Sequence, residues 1–415
     1  MTLTTTWITS IFITLVMTRL LLELFLDYRH YRHINAQVNQ VPSPFDQTIE
    51  LKQHQLAAAY ASAKLSSGAI LNSWHTIILL LWTFGGGLDL LDQLVRSQQA
   101  SPITAALLAF SIFALIEIAI SIPESLYRHF ILEERFGFNR LTIKLFIFDQ
   151  LKGLILSAVI GLPLLAVIIW IVISFQSTWW FYAWVLITIF QLSTLWLYPV
   201  LIAPLFNKFS PLTNQEVKTR VLQLLERVGF SSKGLFVMDA SRRTTHGNAY
   251  FTGPGKSKRI VLFDTLLKTL SPDEVEAVIA HELGHYKNRD ILKMLLVSSL
   301  LTLTGFAILG WLYQLPEFYL AHGVTNQSPY MALLLFGVVV SCYTFPITPI
   351  LSWRSRRQEF AADRFAAQFA QKESLASALI KMYRDNATPV TADPLYSAYH
   401  HSHPQAAERI ARLLD

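Results

Sequence analysis

Cysteine is almost absent from this chain of 415 residues. Because Cys342 is the one cysteine, an intramolecular disulfide is excluded. Cys342 also lies in a long apolar run, so a thiolate metal site is disfavoured. Charged residues are also scarce: they form 15% of the sequence, well below the roughly 25% usual in soluble domains. Hydrophobic residues form 53%, and this balance indicates a membrane protein.

Seven apolar runs have the length of about 20 residues that a helix needs to cross the hydrocarbon core. They predict membrane spans near residues 7–26, 68–87, 103–122, 153–175, 179–203, 291–313 and 329–351. The first run lacks a basic flank and a small-residue cleavage site, so we interpret it as a retained anchor and not as a signal peptide. An odd number of spans places the termini on opposite sides of the bilayer.

Lysine and arginine concentrate in one set of loops, above all in residues 207–290 and 352–415, whereas the opposite set contains only Arg96. The positive-inside rule therefore predicts an outside N-terminus and a cytosolic C-terminus. This bias accounts for the net charge of +6, so the charge gives no reason to expect a nucleic-acid partner. The location would be the inner membrane in a bacterium or the endoplasmic reticulum in a eukaryote.

The segment 281–285, His-Glu-Leu-Gly-His, is the most informative motif in the chain. On a helix, His281 and His285 share one face and can bind one cation, while Glu282 points towards a metal-bound water. We expect Gly284 to keep this face open. The motif predicts a zinc peptidase with one Zn²⁺ per chain, in which zinc polarises the scissile carbonyl and Glu282 transfers the proton of the water to the leaving amine.

A third zinc ligand is expected, because catalytic zinc usually has three protein ligands. Glu359, in an alanine-rich helical segment after the last span, is the best candidate. Asp363, one turn later, would accept a hydrogen bond from a ligand histidine and fix its tautomer. The alternative is that both carboxylates merely pair with Arg356 and Arg364 on a solvated surface.

These motifs and several other segments resemble the type I CAAX prenyl proteases, integral membrane zinc endopeptidases related to the HtpX heat-shock proteases. The resemblance covers nearly the whole chain, and the other segments that carry it are residues 133–139, 198–209, 248–253 and 256–264. It implies that His281, His285 and Glu359 bind zinc, that Glu282 is the base and that Asp363 is the supporting carboxylate.

The chain divides into four predicted regions. Residues 1–206 contain spans one to five, and 291–351 contain spans six and seven. Residues 207–290 and 352–415 are two parts of one peptidase domain that meet on the cytosolic face. The predicted fold is mainly α, a polytopic membrane protein with seven transmembrane helices and a zincin-like domain that contains a small β-hairpin or sheet.

A β-hairpin is predicted from the strand-like residues 248–253 and 259–264, which flank a turn at Gly253-Pro254-Gly255. Beside the zinc helix, an edge strand can pair with an extended peptide, although the hairpin could equally be structural. The resemblance places Asn248 at the active site. We therefore name as candidate substrate contacts Asn248, Ala249, Tyr250 and Phe251.

The C-terminal segment contains three histidines before Pro404, a residue that suits the first turn of a helix over 404–414. By resemblance, His403 would donate a hydrogen bond to the oxyanion of the tetrahedral intermediate, and Arg409 would support the site. We assign no role to His400 or His401.

Four ionisable residues lie at nominal membrane depth, where each is costly unless it is paired or faces a wet interior: Arg19, Glu23, His75 and Glu117. Arg19 and Glu23 are four residues apart and could neutralise one another. The resemblance implies a large intramembrane chamber that these side chains could line.

The function predicted from the sequence is zinc-dependent endoproteolysis in a membrane, with C-terminal processing of prenylated CAAX-type proteins as the first substrate class. Quality-control cleavage of membrane proteins, as by HtpX, uses the same chemistry and is the main alternative. A transporter or channel and a structural metal site are the rival classes, but a structural site would not need Glu282. The expected partners are a peptide or protein substrate and the lipid bilayer; the oligomeric state is open.

Overall fold

The structure is a computed structural model that describes residues 3–252 and 258–414. Four strands form one sheet: β1 (Phe209–Pro211), β2 (Leu235–Met238), β3 (Ala249–Thr252) and β4 (Arg259–Phe263). The helices are α1 (Leu3–Ala36), α2 (Leu51–Trp82), α3 (Gly87–Arg96), α4 (Pro102–Tyr127), α5 (Ile143–Ser174), α6 (Trp179–Leu197), α7 (Ala203–Phe206), α8 (Gln215–Val228), α9 (Leu266–Thr269), α10 (Pro272–Lys287), α11 (Asp290–Leu312), α12 (Pro316–Leu320), α13 (Pro329–Thr344), α14 (Thr348–Phe369), α15 (Lys372–Asp385), α16 (Pro394–His400) and α17 (Ala406–Leu414). The prediction of a mainly helical chain with a small sheet is confirmed.

Seven helical segments in the described ranges are long and apolar enough to cross a membrane, which confirms the seven predicted spans. Their bounds are Leu3–Ala36, Leu51–Trp82, Pro102–Glu133, Ile143–Ser174, Trp179–Phe206, Asp290–Leu312 and Pro329–Phe369. The second differs most from the prediction, because its helix begins at Leu51 and not near residue 68. Glu50 and Gln53 form a capping box there, so the helix starts well before its apolar part.

Helix α3 is a short amphipathic helix that the sequence analysis missed. Its buried face carries Leu88, Leu91 and Val95. The buried Asp92 binds both Arg96 and the hydroxyl of Tyr330 at the start of α13. The hydrogen bond from Tyr330 therefore holds α3, which connects the second and third spans, against the seventh span.

The sheet has the strand order β1-β2-β4-β3, so β3 lies at an edge. Strands β3 and β4 pair antiparallel, with Ala249 opposite Leu262, as the predicted hairpin requires. The predicted turn at Gly253-Pro254-Gly255 lies outside the described residues. Strands β1 and β2 were not predicted; β2 pairs parallel with β4.

Helix α10 runs through the core of the soluble part. Ser271 and Glu274 form a capping box that starts it. Val275, Ile279 and Leu283 recur every four residues and are fully buried in a core shared with the sheet, α8 and α15. This core holds the histidine helix rigidly against the rest of the soluble part.

Helix α14 continues the seventh span and packs along α10. At their contact, a Cβ built on Gly284 would lie 2.8 Å from the Cα of Ala362. The expectation that Gly284 keeps its helix face open is therefore wrong. The glycine is buried, and it lets the two helix backbones approach closely.

A polar cavity of about 1050 Å³ lies among the membrane helices. The four ionisable residues noted at membrane depth all line it: Arg19, Glu23, His75 and Glu117. Arg19 donates to Ser341 Oγ at 3.0 Å, and Glu23 lies 3.3 Å from His400. Each of these two charges therefore has a partner on another helix.

Candidate active site

His281 and His285 project from the same face of α10 towards α14. Their Nε2 atoms are 3.2 Å apart. His281 is buried and His285 is half-buried, so both imidazoles are largely removed from solvent. One cation could contact both rings at this separation.

Glu359 on α14 faces this pair. Its Oε2 lies 3.5 Å from His281 Nε2, and its Oε1 lies 3.3 Å from His285 Nε2. Ligand atoms about 2.0 Å from a tetrahedral zinc ion are about 3.3 Å apart, which matches these distances. Glu359 Oε2 is buried and makes no hydrogen bond with any described residue. The donor set and its spacing fit zinc.

The second nitrogen of each histidine contacts a carboxylate. His281 Nδ1 lies 2.8 Å from Asp363, and His285 Nδ1 lies 3.0 Å from Asp290. Because a carboxylate accepts the Nδ1 proton, the lone pairs of both Nε2 atoms point into the shared space beside Glu359. Two imidazole nitrogens and a carboxylate at these distances could hold a metal cation between them.

Asp290 is a site residue that the sequence reasoning missed. It begins α11, and the preceding Arg289 has a left-handed backbone with φ of 55° that folds the chain back towards α10. The one available signal was an acidic residue five positions after His285, at the start of the sixth span. Linear spacing alone does not reveal such a reversal.

Arg409 on α17 fixes the position of Asp363. The guanidinium donates two hydrogen bonds to this carboxylate, at 2.9 and 2.7 Å. Its Nη1 also lies 3.5 Å from Glu359 Oε2. Burial by itself lowers the pKa of Arg409, but the hydrogen bonds to Asp363 raise it above the usual value, so the guanidinium stays charged.

The neighbouring residues His281 and Glu282 on α10 both have a raised pKa, but the cause differs. Burial by itself lowers the pKa of His281, but the nearby carboxylates of Asp363 and Glu359 outweigh this effect and raise the pKa to about 9. Burial raises the pKa of Glu282 above its usual range, against the opposing effect of the histidines. A carboxylate with a raised pKa can both accept and return a proton.

His403 also reaches the cluster. Its Nε2 lies 3.3 Å from Glu359 Oε1, and its Nδ1 lies 3.0 Å from Ser402 Oγ. The side chain is 61% exposed, so the ring borders open space beside the three donors. The following helix begins at Ala406, two residues later than predicted.

Comparisons with known proteins cover the whole site. Residues 30–208 match the family model of the CAAX prenyl protease N-terminal region with five membrane helices, and residues 211–415 match that of peptidase family M48. The chain is 33% identical to CAAX prenyl protease 1 of Saccharomyces cerevisiae, over 94% of this chain and 92% of that one. It is 30% identical to the CAAX prenyl protease 1 homolog of Mus musculus, over the same shares of each chain, 94% and 92%. The crystal structure of S. mikatae Ste24p matches with a TM-score of 0.91 and 31% identity, over 100% of this chain and 99% of that one.

The chain belongs to the CAAX prenyl protease family. This CAAX-type protease is a multi-pass membrane metalloendopeptidase that acts on peptide substrates, so the predicted family, enzyme class and function are confirmed. Peptidase family M48 consists of zinc metalloproteases. In the described part of the protease, the one cluster of three side chains that could hold a metal is His281, His285 and Glu359.

Three of the four candidate substrate contacts, Ala249, Tyr250 and Phe251, lie in the edge strand β3, and the fourth, Asn248, directly precedes it. Asn248 is exposed and Ala249 is buried. Strand β3 contacts α10, so the edge lies close to the helix of the two histidines. An edge strand offers main-chain groups to an extended peptide.

A cluster that the sequence reasoning missed anchors the start of this strand. His246 Nδ1 lies 3.1 Å from Asn386 Oδ1, which also accepts from Gly247 N at 3.3 Å. The His246 ring stacks on Phe138 with 4.8 Å between ring centroids. The segment 133–139 therefore supports β3, a contact between distant parts of the chain that local spacing cannot predict.

Proposed function

We propose that this protease removes the last three residues of prenylated CAAX-type proteins, with one zinc ion bound by His281, His285 and Glu359. The observation that carries the proposal is the spacing of the three donor groups: the two Nε2 atoms are 3.2 Å apart, and they lie 3.3 and 3.5 Å from the two carboxylate oxygens of Glu359, as ligands of a tetrahedral zinc ion would. The names of the curated relatives, CAAX prenyl proteases, support the substrate class.

A zinc ion in this position would supply a Lewis acid for the scissile carbonyl and acidify a water molecule. Glu282 accepts the proton of the attacking water and passes it to the leaving amine, a double role that suits its raised pKa. Asp363 and Asp290 hold the two imidazoles in the tautomer whose Nε2 is free to bind metal. Arg409 keeps Asp363 in place.

The substrate would lie extended along β3 and pair through its main chain. This pairing positions the scissile carbonyl without reading side chains. His403, exposed at the edge of the cluster, would donate a hydrogen bond to the developing oxyanion. Such a donor lowers the barrier by about 3 kcal/mol.

The orientation belongs to the same proposal. The basic residues of 207–290 and 352–415 support a cytosolic active site and an outside N-terminus. The membrane would be the endoplasmic reticulum of a eukaryotic cell or the inner membrane of a bacterium. A prenylated protein anchored in the cytosolic leaflet then meets the site directly.

The test compares a farnesylated CAAX peptide with its unmodified twin, using the purified full chain and Glu282→Ala as the blank. We expect kcat/KM to be at least tenfold higher for the farnesylated peptide, because each buried methylene contributes about 0.8 kcal/mol. A zinc chelator should abolish both reactions. Equal cleavage of the two peptides would reject the prenyl-specific substrate class and favour the quality-control alternative.

A further inference from the structure

A second cavity, of about 780 Å³, lies between α11, α13 and α14. One face of α11 lines it through Leu301, Gly305 and Leu309, which recur every four residues. Helix α13 adds further apolar wall, formed by Leu333, Phe336, Gly337 and Val340. The wall on α11 runs from residue 294 to residue 309, about 22 Å of helix, within the sixth membrane span.

The few hydroxyl groups on this wall do not make it polar. Thr302 donates to Ser298 O, one turn earlier on the same helix, at 2.8 Å. The hydroxyl is therefore satisfied locally and leaves its methyl group to the cavity. Among the described residues, Arg354 is the one charged residue of the lining, which is otherwise mainly apolar, so most of the cavity offers a hydrocarbon surface at membrane depth.

One end of the cavity reaches the active site. Its lining includes Gln358 and Ser402, the residues that directly precede Glu359 and His403. Ser402 Oγ lies 3.0 Å from His403 Nδ1. The apolar cavity therefore ends beside the groups that face the scissile bond.

The substrate chemistry requires such a neighbour. Removal of the last three residues of a CAAX sequence cuts the peptide bond on the carboxyl side of the prenylated cysteine. The lipid is attached to the residue whose carbonyl is attacked, so the lipid chain must extend from a point immediately beside the catalytic groups. The polar cavity among the membrane helices is a poor destination, because a hydrocarbon chain there would face charged residues that include Arg19, Glu23 and Lys64.

We infer that the cavity between α11, α13 and α14, named here the span 6–7 groove, binds the isoprenoid chain of the substrate during cleavage. This inference rests on the proposed function. Two glycines leave open space in the groove. A Cβ on Gly337 would meet nothing within 4 Å, and a Cβ on Gly305 would meet only Phe336, at 4.0 Å. A larger side chain at either position occupies the groove without displacing a backbone.

The test introduces Gly305→Leu and Gly337→Leu separately into the full chain in lipid nanodiscs. Leucine is a better helix former than glycine, so neither change weakens its helix. Gly161→Leu is the matched control, because Gly161 is exposed in another span and has open space around its Cβ. The measured quantity is the ratio of kcat/KM for the farnesylated peptide to that for its unmodified twin, from which a general loss of activity cancels.

We expect each groove variant to lower this preference ratio at least tenfold, mainly through a higher KM for the farnesylated peptide, and to keep its zinc content. The control should retain the wild-type ratio. The inference is overturned if both groove variants keep the wild-type ratio while the wild type still prefers the farnesylated peptide. In that case the groove would bind bilayer lipid and not the substrate. Wild-type enzyme with no preference would instead reject the prenylated substrate class.

A fourth variant, Gly68→Leu, separates the two cavities. Gly68 lines the polar cavity and has open space around its Cβ. The inference requires that this variant keep the wild-type preference ratio. Loss of the preference in Gly68→Leu, together with its retention in Gly305→Leu and Gly337→Leu, would assign the isoprenoid chain to the polar cavity.

Discussion

At the scale of single residues, each of the two histidines on α10 has its own carboxylate, but the two carboxylates are held differently. Asp363 is clamped by the buried Arg409 through two hydrogen bonds. Asp290 has Lys293 3.5 Å away, and its Oδ1 makes no hydrogen bond with a described residue. The imidazole of His285 is therefore oriented by a single, less constrained contact.

Replacement of Asp290 should weaken zinc binding. In Asp290→Ala the Nδ1 proton of His285 loses its acceptor, so we expect zinc affinity to fall about 10- to 100-fold while the fold is retained. Competition with a chromophoric chelator measures this affinity. Asp273→Asn, a change in the first turn of the same helix, is the control that should bind zinc like the wild type. Unchanged affinity in Asp290→Ala would remove Asp290 from the site.

At the scale of secondary-structure elements, the close contact of α10 and α14 brings Glu359 to the two histidines. Gly284 and Ala362 touch at this contact, one residue before His285 and three residues after Glu359. The sequence motif predicts which residue types bind the metal, but it does not reveal that the glycine between them serves helix packing. Only the position of the second helix shows this.

Gly284→Ala should therefore damage the site although no ligand is changed. The new Cβ would lie 2.8 Å from the Cα and 3.0 Å from the carbonyl oxygen of Ala362, so the helices must separate. We expect a loss of about 1 to 3 kcal/mol in the free energy of unfolding, a cost typical of overpacking, and at least a tenfold loss in kcat/KM.

Thermal unfolding and peptide cleavage measure these two effects. Gly161→Ala, in open space on α5, is the matched control and should leave both unchanged. Because the two closest atoms are the Cα and carbonyl oxygen of Ala362, removal of its Cβ, which lies 3.2 Å away, should not rescue the variant. Wild-type stability and activity in Gly284→Ala would show that the helices tolerate the extra methyl group.

At the scale of the whole molecule, the candidate site joins residues that lie before the sixth span to residues at the end of the seventh span and beyond it. His281 and His285 lie on α10, whereas Glu359 lies on the helix that continues the seventh span. Arg409 lies on the C-terminal helix α17. The membrane helices therefore help to assemble the site as well as anchoring it.

The sequence allowed prediction of what is local along the chain. Hydropathy located the seven spans, one helical turn related His281 to His285, and the short separation of β3 and β4 suggested their pairing. The contacts that escaped prediction are non-local or depend on a reversal of the chain. They include the pairing of β2 with β4, the contact of His246 with Asn386, and the return of Asp290 through Arg289.

The most direct test of the central claim is the zinc content of the purified full chain in two variants, measured together with peptide cleavage. Glu359→Ala should lose both zinc and activity, because it removes one of three ligands supplied by two helices. Glu282→Gln should retain zinc and lose cleavage, because it keeps the ligands and removes the base. Full zinc occupancy and activity in Glu359→Ala would contradict the account.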